Sequence, residues 1–198
     1  MKWITFLLCL FTLNSYSWNI NGVSGVSFCE NKSIVLRYGE ELPSNCKLNT
    51  AKSSGLELLS KDKKSQIVIG ESSVVQILES QIIITNGRLR IEGEKELDIV
   101  KNEHLVKRTK GKQLFFSSKV FNDFELVSLS EPINFFEKIV DKNKETDELK
   151  TKVPPGQWVA VGGRFKDELG DFYNLDENQM KFFNESLSPQ KTLKEYRE

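Results

Sequence analysis

The sequence predicts an all-β protein, a single sandwich- or roll-like domain of many short strands with one short C-terminal helix. Three observations predict it. β-branched and apolar residues recur with period two along most of the chain, Gly, Ser, Asn and charged residues punctuate those runs, and only one stretch near the end carries a helical period. A chain of 198 residues with 38% apolar residues is long enough for one sizeable core. Lys+Arg and Asp+Glu balance at 28 each, so no global positive field favours nucleic acid, and no nucleic-acid partner is expected.

The first segment does not belong to the domain. Met1 and Lys2 precede an apolar run from Trp3 to Leu13, and Asn14-Ser15-Tyr16-Ser17 ends it with small residues where a signal peptidase reads. Residues 1–17 are therefore expected to be a signal peptide, with the mature chain starting at Trp18 in the periplasm or outside the cell. The run falls short of the ~20 residues that span a bilayer, and no later stretch is apolar enough, so the mature chain is expected to lack a transmembrane helix. Cys9 leaves with the signal. Cys29 and Cys46 then remain as an even pair in an oxidising compartment, and a structural disulfide is expected in preference to two buried thiols or a redox pair.

Short strand-like runs follow: Val26-Ser27-Phe28, Ile34-Val35-Leu36, Leu56 to Leu59, Gln66 to Ile69, Val74 to Leu78 and Gln81 to Thr85. Asn86-Gly87 reads as a two-residue hairpin turn, which puts Ile84 opposite Leu89 and Ile82 opposite Ile91 on a core face, and Thr85 opposite Arg88 and Ile83 opposite Arg90 on the other. The β texture continues through Leu97 to Val100, Gln113 to Phe116, Phe124 to Leu129 and Gln157 to Val161. Ile133 to Val140 fits a helix as well as a strand. Asp141 to Lys152, dense in charges of both signs, suits a solvated excursion more than a strand. Val153-Pro154-Pro155-Gly156 then turns the chain into the Trp158 strand. Asp176 can cap a helix with Gln179 at the capping-box position, with Met180, Phe183 and Leu187 on one face before Pro189. Residues 18–188 make the domain, opened by the disulfide-linked segment, and 189–198 form a polar tail.

Ile67 to Val74, Asn86-Gly87-Arg88-Leu89-Arg90-Ile91, Leu105 to Phe116 through Gly111, Leu126 to Ile133 and Pro155-Gly156-Gln157 follow one another in an order that resembles the FecR-like periplasmic domain. The resemblance covers about residues 56–163. It implies a β-rich envelope module, known from proteins that sense transport across the outer membrane, acting on a protein partner. Lys110-Gly111-Lys112 and Ser130-Glu131-Pro132 depart from the family's usual glycine turns.

The search for chemistry is mostly negative. His104, the sole His, has no HExxH context and reads as a surface strand residue, and no GxSxG elbow or phosphate loop is present; Gly162-Gly163-Arg164 reads as a turn. No enzyme activity, metal or cofactor is expected. Lys107, Arg108, Lys110 and Lys112 are the strongest local charge feature. They form either an exposed loop for an anionic partner or a solvated turn with gatekeeping charges, the commoner case. Trp158 and Phe115-Phe116 either line a groove or pack a core, and the core is the more frequent role. The leading expectation is an exported, noncatalytic binding or sensory module with an envelope protein as partner. The alternatives are an envelope structural protein that binds glycan or membrane surface through the basic loop, and a carboxylate-dependent hydrolase.

Overall fold

The computed structural model describes residues 17–107, 111–141, 144–162, 168–185 and 187. The signal segment apart from Ser17, Arg108, Lys110, Gly163-Arg164 and the tail 189–198 lie outside the described residues. The chain forms an all-β, sandwich-like arrangement with one short C-terminal helix, as the periodicity predicts, and it does not close into a barrel.

Two sheets share one long strand, β8 (Gln81–Gly93). The first sheet runs β1 (Trp18–Ser24), β5 (Gly55–Ser60), β6 (Ser65–Ile69), the second half of β8, β11 (Gly111–Ser118), β12 (Asp123–Ser128), β15 (Gln157–Gly162) and β16 (Tyr173–Asn174). The second runs β3 (Ile34–Val35), β2 (Ser27–Cys29), β4 (Lys47–Thr50), β7 (Val74–Ile77), the first half of β8, β9 (Asp98–Lys101), β10 (His104–Lys107), β13 (Ile133–Asp141) and β14 (Lys144–Val153). Among the described residues only β8 and β9 pair in parallel. The core between the sheets is filled by fully buried residues such as Trp18, Leu48, Leu58, Ile67, Ile82, Phe115, Phe124 and Phe135.

The expected Asn86-Gly87 hairpin is corrected. A two-residue turn of that type needs positive φ at both central residues, and only Gly87 has it, at 104°. The chain bends there instead of reversing, and β8 passes from one sheet to the other. Ile82 and Ile84 pair with Ile77 and Val75, whereas Leu89 and Ile91 pair with Ile69 and Ile67. All four are buried, so the inward sorting holds although the partners differ. A Cβ at Gly87 would lie 2.1 Å from Ser73 Oγ, so the bend requires glycine by φ and by space.

The charged run after residue 140 is likewise corrected, since most of it forms β14 paired along β13, which settles the 133–140 ambiguity as strand. Charge does not forbid a strand at a sheet edge, where Lys, Glu and Asp deter pairing with other chains. Lys150 joins Glu137 at 3.0 Å and Glu148 at 3.2 Å across and along this edge. His104 is also not a surface residue. It is buried beside Phe135, ring centroids 5.6 Å apart, because β10 lies between β9 and β13.

The Cys29–Cys46 disulfide is present, Cα atoms 5.5 Å apart, with both cysteines fully buried. Asn31 organises the loop it closes: Asn31 Nδ2 donates to the Asn45 carbonyl at 2.8 Å, and its Oδ1 accepts from Lys47 N at 2.9 Å. No described helix is long and apolar enough to cross a membrane, which leaves strands aside.

Candidate functional site: the sheet face beneath the C-terminal helix

Alternation along β11 sends Phe115 into the core and Leu114 and Phe116 to the outer face of the first sheet. Strand register extends that face into a row: Val68 pairs with Arg90, Arg90 with Leu114, Leu114 with Val127, Val127 with Trp158, and Trp158 with Tyr173. Leu114 and Val127 are fully buried there, yet they belong to a cluster separate from the main core. Their cover is α1 (Glu177–Glu185), which lays Met180, Phe183 and the following Leu187 over them, as the helical period predicts.

Local chemistry fixes both ends of the helix. Asp176 Oδ1 accepts from Gln179 N at 2.8 Å, and Gln179 Oε1 accepts from Asp176 N at 3.0 Å, the capping box expected from sequence. At the other end Lys112 Nζ donates to the Asn184 carbonyl at 3.3 Å, and just beyond the helix Arg90 Nη1 donates to the Leu187 carbonyl at 3.2 Å. Cations suit this end, where carbonyls lack partners within the helix and the macrodipole is negative. Arg90 is only 5% exposed and also pairs with Glu92. Burial depresses the Lys112 ammonium below its ordinary value, the Arg90 charge adds to that, and Glu92 opposes it. Two buried donors at this face, Arg90 Nε and Trp158 Nε1, have no hydrogen-bond partner among the described residues.

The residues singled out from sequence thus separate. Lys112 and Trp158 converge beneath α1, Trp158 with its ring 5.2 Å from Tyr173. Phe116 joins them, ring centroid 6.1 Å from Phe183, whereas Phe115 fills the core. Lys107 lies on the other sheet, 3.2 Å from Asp147 and over the Phe136 ring at 4.8 Å. Arg108 and Lys110 are outside the described residues.

Sequence reasoning missed Arg90, which its hairpin register places merely opposite Ile83. It also missed the tip between β11 and β12, where Val120 and Phe121 are 87% and 67% exposed. That tip is held by side chains: Asp123 Oδ1 accepts from Ser118 N at 2.9 Å, and Asn86 Oδ1 accepts from Lys119 N at 3.0 Å. It borders an open groove lined by Glu71, Arg88, Phe116 and Asp123, with Arg88 and Glu71 ion-paired at 3.1 Å. Nothing in the run Lys119-Val120-Phe121-Asn122 distinguishes it from an ordinary turn. Among the described residues no group of His, Cys, Asp and Glu is placed to hold a metal.

No protein-family model matches the chain, and no curated protein does. A solved structure from Parabacteroides distasonis, described as a "putative anti-sigma factor", is similar, with a TM-score of 0.52 and 8% identity. The similarity covers 70% of this chain and 63% of that one, so the chain matches less than two thirds of that protein's length. At this identity the likeness concerns the fold alone: the β-rich architecture recurs in that structure.

Proposed function

We propose that the chain is an exported, noncatalytic binding or sensory module of the cell envelope, FecR-like in kind, that recognises a protein partner. The observation that carries this reading is the row beneath α1. It is an apolar sheet face with the buried Arg90 guanidinium and the half-buried Lys112 ammonium at one end, covered by a helix of 9 residues. Such a face suits contact with a polypeptide, because apolar area and helix-end carbonyls are what it recognises. The FecR-like order of elements supports the reading, as does the fold shared with the protein described as a "putative anti-sigma factor". The disulfide agrees with an oxidising compartment. Lys107 and Lys112 are engaged within the chain and lie on different sheets, which favours this face over the basic loop as the recognition surface.

Cell fractionation with N-terminal sequencing tests the address, and cross-linking in intact cells tests the partner. A mature chain beginning at Trp18 outside the cytoplasm, joined to one envelope protein, supports the proposal. An intact Met1 in the cytoplasm overturns export. A glycan-hydrolysing activity lost on changing one carboxylate overturns the noncatalytic assignment.

A further inference from the structure

The row under α1 is built more like a receptor than like a core. Leu114 and Val127 are fully buried, whereas no residue of α1 is, so the sheet depends on the helix for cover and not the reverse. A helix of 9 residues is too short to hold itself in water, and its place rests on three apolar side chains and two cation-to-carbonyl bonds. Neither bond reads a particular side chain. Lys112 grips one of the carbonyls that the last turn of any helix leaves unpaired, and Arg90 grips the Leu187 carbonyl, where the chain has left the helix. The fit of the resident helix is also incomplete: Arg90 Nε and Trp158 Nε1 stay buried without an acceptor among the described residues, and an unmet buried donor weakens the contact.

We propose that α1 is an exchangeable occupant of this face, and that an amphipathic helix of the partner protein takes its place. That helix would set apolar residues at the spacing of Met180, Phe183 and Leu187, end over Lys112 and Arg90, and bring a side-chain acceptor to the unmet donors. The proposal rests on the partner-recognition reading above and specifies its surface and its ligand. The docked α1 keeps the face closed until that ligand arrives, since both cannot occupy it.

The probe is a fluorescently labelled peptide copying residues 175–187, titrated into the full chain and followed by anisotropy. The full chain carrying Met180→Ser and Phe183→Ser, with its own helix undocked, binds it saturably. The unaltered chain, whose own α1 competes, binds about tenfold more weakly. Absence of saturable binding to the double variant, or equal affinity for both chains, overturns exchange. Light scattering identifies the occupant: a dimer of the unaltered chain that the double variant dissolves would assign the face to a second copy and overturn the partner helix. Should the double variant not fold, hydrogen exchange on the unaltered chain decides. Amides of α1 exchanging about a hundredfold faster than those of β12 support a detachable helix, and equal rates overturn it. Failure of the peptide alongside successful cross-linking in cells would remove this mode of recognition while leaving the partner itself in place.

Discussion

The two sheets carry comparable rows on their outer faces, and the rows are finished differently. On the first sheet Arg90, Leu114, Val127 and Trp158 lie side by side under α1. On the second, Ile83 pairs with Val100, Val100 with Leu105, Leu105 with Phe136, and Phe136 with Leu149, while the described helix packs on the opposite sheet. There a long charged side chain replaces the helix: Lys107 crosses Phe136 to reach Asp147, and Leu149 stays 54% exposed. A sheet face can therefore be kept in water by a snorkelling lysine, with no covering helix among the described residues. The helix on the first sheet is then an addition that this face specifically carries, with the buried Arg90 and the half-buried Lys112 holding its end.

The joint between the two faces is the place where both break together. Gly87→Val puts a β-branched residue at a φ of 104° and drives its Cβ into Ser73, so we expect a loss of about 3 kcal/mol or more, read as a fall in Tm. Replacing Cys29 and Cys46 together by Ser acts on the second sheet's edge and should cost about 3 kcal/mol through the unfolded chain. Phe183→Ser addresses the covered face alone. It should undock α1 at a cost of about 1–2 kcal/mol, shifting Trp158 fluorescence while the main transition stays in place. Lys107→Ala on the other face should cost under about 1 kcal/mol, because its ion pair is exposed to solvent.

The smallest effect is one of pH. The folded value of Lys112 lies below its unfolded one, so the folded chain releases this proton first. Stability then rises with pH through the alkaline window below the ordinary lysine range, where the unfolded chain holds more protons. Lys112→Met should flatten that rise in denaturant titrations, and an unchanged slope would show that burial does not penalise this ammonium.

Local chemistry was legible at the C-terminal helix and at the disulfide. Asp176 and Gln179 announced the capping box, Met180, Phe183 and Leu187 the docked face, and two cysteines the disulfide. The corner at Asn86-Gly87 was not legible as a corner, because the same dipeptide serves a hairpin and a bend; what separates them is whether Asn86 also takes positive φ. β14 was obscured by its charge, since composition does not say which strand will lie at an edge. The candidate site was half legible. Lys112 and Trp158 stood out as single residues, but their placement beneath α1, and that of Arg90 on the strand beside Lys112, depends on register across β8, β11, β12 and β15.

The central claim is that recognition belongs to the covered face, and site-specific photo-cross-linking in the producing cell tests it most directly. A photoreactive phenylalanine analogue is placed at Phe116, on the covered face of the first sheet, and in a separate chain at Leu149, exposed on the other face. The account predicts a discrete adduct with a partner protein from position 116 and none from position 149. An adduct from position 149 alone would contradict it and move recognition to the face that lysines keep in water.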